Sequence, residues 1–218
     1  MSPLSIELRD LLEGRPSPLE LDEAAVQIAR LHRPEADLQS VRATLDAWAE
    51  AIAAALPPAA GGMQYLSVAH RYLFGTVGLR GDRDNYFAPE NSCLDLVIAR
   101  RRGLPITLSV IYIEVARRLL RPVYGAALPG HFLCRYNDGL VNVLVDVFHE
   151  GRLLLPAEAA GMVSAATGEP LSVDAPEFGP ASPQLIAVRM LRNLRNSYIQ
   201  QRDAARLAAL DALIANQS

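Results

Sequence analysis

His131 and Asp146 are the residues whose types and spacing most directly suggest chemistry. Both fall in stretches that alternate apolar with polar residues. Phe132, Cys134 and Tyr136 interleave with His131, Leu133 and Arg135, and Val141, Val143 and Val145 interleave with Asn142, Leu144 and Asp146. Period-two alternation marks strands. Between them Asn137-Asp138-Gly139-Leu140 suits a hairpin with a two-residue type I′ turn at Asp138-Gly139. That register sets Tyr136 against Val141, Cys134 against Val143, Phe132 against Val145, Leu133 against Leu144 and His131 against Asp146. Opposed residues have Cβ atoms about 5 Å apart, so an imidazole–carboxylate pair is predicted. A carboxylate fixes the tautomer and stabilises imidazolium, as general-base work requires. The competing reading is a structural hydrogen bond or a ligand contact, because a base without a nucleophile has no standard task.

Two residues are candidate nucleophiles. Cys93 follows the capping-box sequence start at Ser92 (Ser92-Cys93-Leu94-Asp95), and a helix start can lower a thiol pKa; packing is the alternative. Thr107 lies in the first turn of a helix opened by Pro105, where the dipole favours developing negative charge, although such a hydroxyl more often satisfies an orphan N–H or lines a pocket. Cys134 shares a face with valines and is read as core. Glu90, Asn91 and Ser92, with Arg80 and Arg101, could form a polar rim for a peptide or carboxylate, or could fix a turn and a cap. His131, Asp146, His149 and Glu150 could in principle meet at a metal. No His-Glu-x-x-His spacing and no cysteine cluster accompanies them, so neither metal nor cofactor is predicted.

The element that must position these groups runs from Gly103 to Ala116. Gly103 ends one helix and Pro105 suits the first position of the next. From Ile106 to Val115 the apolar residues are not confined to one stripe, which predicts a helix enclosed on most sides. Amphipathic helices precede it: a short one opened by Ser2-Pro3, one after a capping box at Ser17-Pro18-Leu19-Glu20, one from about Ala36 to Leu56, and one from Met63 to Phe74. Residues 75–91 are irregular, and a long irregular segment in a compact domain is more often functional than idle. Val123–Ala126 reads as a first strand, residues 151–180 as loop with helical turns near 157–162, and Ser182-Pro183 opens an α-hairpin running to Ile214.

The chain has 218 residues, half of them apolar, and a net charge of −3, so bulk electrostatics do not suggest nucleic acid. Every cation is Arg. The absence of Lys excludes a P-loop lysine or a Schiff-base lysine within this chain. The arginines at 100–102 and 117–121 are read as solvated helix ends without interleaved aromatics. Two cysteines without CxxC spacing, no apolar leader and no run of about 20 apolar residues predict a cytoplasmic chain with reduced thiols and no membrane span.

Gly78-Leu79-Arg80-Gly81, Pro89-Glu90-Asn91-Ser92, Arg101 through Leu108, Pro129-Gly130-His131-Phe132-Leu133, Asp146-Val147-Phe148 and Gly151-Arg152-Leu153-Leu154 follow in order, and together they resemble the bacterial SirB-type family. That resemblance implies an α+β, transglutaminase-like (papain-like) core with a buried helix against an antiparallel sheet, and a tetratricopeptide-like tail. The implied organisation is a helical lobe at 1–75, the core at 76–180 and a helical hairpin at 181–218. In active transglutaminase-like enzymes a Cys begins the buried helix, with His and Asp on adjacent strands. His131 and Asp146 match those two positions, while Pro105-Ile106-Thr107 offers no thiol. Departures at Leu120, Val147, Cys93 and His149-Glu150 concern turns and the site rim. The resulting expectation is a non-catalytic binding or regulatory protein that meets a protein or peptide partner through the cleft or the hairpin. The alternative is an amide- or peptide-directed hydrolase or acyltransferase using His131, Asp146 and either Cys93 or Thr107.

Overall fold

The computed structural model describes residues 4–215. Four helices come first: α1 (Ile6–Leu12), α2 (Leu21–Ala29), α3 (Leu38–Ala55) and α4 (Gly62–His70), the last continuing as a π-helical turn over Arg71–Thr76. Ser5 caps α1 through its hydroxyl; Ser2-Pro3, where the sequence placed the start, lies outside the described residues. The capping box expected at Ser17 does not form. Ser17 Oγ donates to Glu7 O instead, and α2 begins beyond Glu20.

A two-residue strand β1 (Arg80–Gly81) pairs in parallel with β2 (Arg102–Gly103). Between them stand a 3₁₀ turn, Pro89–Ser92, and α5 (Leu94–Arg100). The helix α6 (Pro105–Arg118) follows with Pro105 in its first turn. Every residue from Ile106 to Tyr112 is buried, as the all-round apolar pattern required. Helices α2 and α3 and the sheet pack around it.

The sheet is an antiparallel meander, β3 (Val123–Ala126), β4 (Leu133–Asn137), β5 (Asn142–Asp146) and β6 (Arg152–Leu154), in that spatial order. One face carries Cys134, Tyr136 and Val145 into the main core around α6. The other carries Leu133, Leu144 and Leu154 into a smaller core closed by α7 (Pro156–Thr167) and Phe178. Helices α8 (Pro183–Gln200) and α9 (Ala204–Ala215) end the described chain, with Ser182 Oγ capping α8. Leu8, Ile28, Leu45, Val110, Tyr136, Leu194 and Leu210 all belong to one apolar cluster, so amino-terminal helices, central helix, sheet and terminal hairpin share a core.

The hairpin register departs from expectation. Cys134 pairs with Val145, Tyr136 with Val143 and Asn137 with Asn142, a shift of two residues. The turn spans four residues rather than two. Asp138 N donates to Val141 O, and the Asp138 carboxylate accepts from the N–H groups of Leu140 and Val141 and from the Tyr136 hydroxyl. A carboxylate that captures two amides holds a wider loop than a type I′ turn needs. Because strand side chains alternate with period two, a two-residue shift keeps every side chain on its predicted face and changes only its partner.

The arginines read as solvated helix ends are mostly engaged. Arg118 is largely buried and binds Asp22, Glu114 and Asp46; Arg100 binds the buried Asp82; Arg121 lies over Tyr65 and donates to Ala60 O. Among the described residues no helix is long and apolar enough to cross a membrane.

Candidate functional site

The amino end of α6 meets the loop entering β4 and the loop leaving β5. Pro105, His131, Asp146, Phe148, His149 and Tyr86 line a cleft there of about 170 Å³. His131 precedes β4, in a turn closed by its own N–H on Leu128 O and by Gly130 at φ 71. His131 and Asp146 therefore reach one cleft, but not as opposed strand residues. The Asp146 carboxylate is hydrogen-bonded to His149, accepting from Nδ1 at 2.7 Å and from the backbone N–H at 3.2 Å. The register shift is the physical reason, since it removes His131 from the position facing Asp146. With Nδ1 donating to Asp146, His149 keeps Nε2 unengaged among the described residues.

Phe148 and Tyr86 form the aromatic wall. Their ring centroids lie 5.9 Å apart at 68°, and Phe148 meets the His149 ring at 5.3 Å and 78°. Both are edge-to-face geometries that aromatic quadrupoles favour. Gly81 is pressed against the Phe148 ring so closely that a Cβ would stand 2.5 Å from it, and this fixes the β5–β6 turn on the β1–β2 ribbon. Asn91 holds the other side of the wall. It is fully buried, and its Nδ2 donates to Asn85 O at 2.7 Å and Tyr86 O at 3.4 Å.

Neither candidate nucleophile lines the cleft. Cys93 is fully buried as the N-cap residue of α5, with Sγ at 3.6 Å from Pro89 O. Burial, with Asp95 and Glu90 nearby, pushes its thiol pKa well above the usual range, so the activation expected at a helix start is absent. The capping residue is Cys93 and not Ser92, which sits inside the 3₁₀ turn. Thr107 is fully buried in the first turn of α6. Cys134 lies in the core as read, its thiol pKa pushed up to about 12 by burial. Thr107 Oγ1, Ser92 Oγ and Asn91 Oδ1 are buried without a hydrogen-bond partner among the described residues. Glu90 is half-buried and contributes its carbonyl to the Cys93 N–H. Arg101 closes α5 in the left-handed region at φ 60, its guanidinium on Ile98 O and 5.0 Å from the Trp48 ring centroid, outside the cleft.

Tyr86 and Phe148 line the cleft without having been singled out as site residues, and His149, weighed only as a metal donor and a rim residue, is the partner of Asp146. For His149 a signal existed: an Asp followed three residues later by a residue whose N–H it caps is a common turn, and that turn delivers the ring to the carboxylate. Among the described residues one group of three carboxylates, Glu20, Asp22 and Glu114, lies close enough to share a cation. Arg42, Arg117 and Arg118 already occupy those oxygens, so the donor set suits guanidinium and not a metal.

Residues 39–192 match the model of the transglutaminase-like superfamily. A UPF0162 protein of Xylella fastidiosa is 36% identical over 185 residues, which cover 83% of this chain and 65% of that protein. A UPF0162 protein of Pseudomonas aeruginosa is 32% identical over 178 residues, covering 82% and 64% respectively. The chain thus spans somewhat less than two thirds of the length of these relatives. F-box only protein 21 of Mus musculus shares 33% identity over 85 residues, 39% of this chain and 14% of that protein. No solved structure matches. With an enclosed helix aimed at an antiparallel meander, and a family match across most of its length, this chain belongs to the transglutaminase-like superfamily.

Proposed function

We propose that the chain is a non-catalytic binding module of the SirB type, with a tetratricopeptide-like terminal hairpin, whose cleft takes a peptide segment of a partner protein in the cytoplasm. One observation carries the reading: the cleft has aromatic walls and hydrogen-bonding groups, while both candidate nucleophiles are buried outside it. Tyr86 and Phe148 supply apolar faces, and His131, His149 and Asp146 supply polar ones, the mixture that peptide grooves use. The 85-residue likeness to a stretch of F-box only protein 21 supports a segment reused inside differently built proteins. An amide-directed hydrolase or acyltransferase would need Cys93 or Thr107 to reach a base, and burial opposes both.

Selection of displayed peptides on the intact chain is the test. Phe148→Ala is expected to weaken a selected peptide by about tenfold or more, the loss of one buried aromatic anchor. The native protein is expected to leave amide and activated-ester probes intact, and both thiols are expected to react with a thiol reagent only after denaturant is added. Turnover lost in His149→Ala or His131→Ala, or fast labelling of Cys93 at neutral pH, would sink the non-catalytic reading.

A further inference from the structure

Phe148 also forms one side of a second groove, of about 250 Å³, lined by Arg80, Arg83, Arg102, Asp84 and Glu150. The geometry points to this groove as an oxyanion subsite, taking a carboxylate or phosphoryl group carried by the peptide that occupies the adjoining cleft. The class of ligand rests on the peptide reading above; the anion preference rests on the groove alone.

The parallel ribbon pairs Arg80 directly with Arg102. Like charges placed opposite each other on strands are destabilising, so this arrangement works against the fold unless something neutralises it. The protein's own carboxylates do so poorly. Arg102 has only Asp84, 3.5 Å away and largely exposed. Arg80 and Arg83 make no ion pair or side-chain hydrogen bond with any described residue. Asp82 lies between them in sequence, yet it is buried and committed to Arg100 at 3.1 Å and to the Asn85 N–H at 3.1 Å. Glu150 stands on the groove's rim and is the one carboxylate there without a described partner. Arg71, Arg152 and Arg192 also lack an acid among the described residues, but here three arginines share one groove, and only Arg102 of the three has a described acid partner. Guanidinium forks suit planar carboxylate and phosphoryl oxygens, which they bind in bidentate fashion. The groove is also rigidly tied to the cleft, because Gly81 of the same ribbon carries the Phe148 ring that walls both.

The isotope-labelled full chain is titrated with N-acetyl-glutamic acid methylamide and, separately, with the glutamine analogue, and the arginine Nε–H signals are followed by NMR. Signals of Arg80, Arg83 and Arg102 are expected to move together along a saturating curve with the acid alone. Drift that merely follows ionic strength, or an equal response to the glutamine analogue, overturns the subsite. Peptides selected on the cleft are then arrayed with Glu, phosphoserine or Gln at each position. An acid at one fixed position is expected to tighten binding about tenfold, the equivalent of one charge-assisted hydrogen bond, and to lose that advantage in the double variant R80Q/R83Q. The preference between Glu and phosphoserine identifies which group the groove takes. Selected peptides without positional acid preference overturn the subsite and leave the cleft reading standing. A saturating arginine response with no peptide selected overturns the cleft reading and leaves the subsite. Glu150→Gln is expected to tighten the acidic peptide; weakening would mean that Glu150 and not the arginines meets the ligand, and would overturn the assignment.

Discussion

The two ends of α6 are both polar and both partly buried, yet they are finished differently. At the carboxy end, Glu114 and Arg118 join Asp22, Arg42, Asp46 and Arg117 in a network where each buried charge has at least one opposite partner. Burial alone would raise the Asp22 pKa, but hydrogen bonds and charge from Arg42 and Arg118 outweigh it and hold the carboxyl below its ordinary value. At the amino end, Thr107, Ser92 and Asn91 hold buried oxygens without a partner among the described residues, and His149 offers a ring nitrogen that no described residue engages, beside a cleft. Buried groups without a described partner also occur at Tyr65 Oη, Asp95 Oδ1 and Arg9 Nε, so what distinguishes the amino end is that its unpaired groups lie next to a cleft while the carboxy end is closed by ion pairs.

The largest effect expected from this contrast is at Arg118. Its guanidinium donates to Glu114 Oε2 at 2.7 Å, Glu114 O at 3.0 Å, Asp22 Oδ2 at 3.2 Å and Asp46 Oδ1 at 2.5 Å. Arg118→Met leaves two buried carboxylates short of a partner, and breaking such a pair costs about 3–5 kcal/mol. Arg42 and Arg117 remain on those oxygens, which puts the expectation near the lower figure. Arg80→Met, which removes an exposed cation without an acid partner among the described residues, is expected to change stability by no more than about 0.5 kcal/mol. Urea unfolding of the two variants compares them directly. Equal losses would mean that the network is not what distinguishes the two regions.

A smaller effect should appear with pH, between the two ends. His70 Nε2 lies 2.9 Å from the Tyr112 hydroxyl on α6, with Phe74 against its ring. Burial lowers its pKa to about 4. The unfolded value is about 6.5, so the folded state disfavours the proton. Stability is then fully present above pH 6.5 and falls as pH drops toward 4, by up to about 3 kcal/mol. Asp22, with its lowered pKa, gives up its contribution only in still more acid solution. Denaturant midpoints across this range should therefore descend in two stages. His70→Gln, which keeps hydrogen-bonding atoms near Tyr112 but cannot titrate, should shrink the first stage to the part left by His32, whose pKa burial also lowers, and spare the second. A single acid limb unchanged by the substitution would place the sensitivity elsewhere.

The fold was largely legible because its signals are local. Pro105 and the unbroken apolar run after it specified α6, and Ser182-Pro183 specified the start of α8. The strand faces also followed from alternation, and they survived a wrong register because period two tolerates a shift of two. The site was less legible. Which residue Asp146 bonds depends on how the Asp138 carboxylate shapes a loop several residues away, and no alternation pattern records that. His131 and Asp146 line one cleft, but the pairing expected between them does not form and the hydrogen bond belongs to His149. Cys93 looked exposed to a helix dipole in sequence because burial by α2, α3 and the 3₁₀ turn is a tertiary fact. Arg118 looked solvated for the same reason, since two of its three acids come from α2 and α3, although the third, Glu114, sits one turn back on α6 itself.

The smallest effect tests what the unpaired oxygens are for. Thr107 is fully enclosed, and its hydroxyl makes no hydrogen bond to any described residue. A buried hydroxyl without a partner carries a desolvation penalty of about 1–3 kcal/mol, and replacing it with a methyl of the same shape removes that penalty. Thr107→Val should then be neutral or should stabilise the chain by up to about 1 kcal/mol, with peptide binding at the cleft unchanged, because Thr107 does not line it. The direction of the stability change separates the two possible roles. A loss of more than about 1 kcal/mol would mean that the hydroxyl is satisfied in solution, which moves Thr107 to the finished side of the contrast. Unchanged stability with lost binding would mean that the cleft extends inward to the first turn of α6, and that the hydroxyl is one of the groups its ligand reaches.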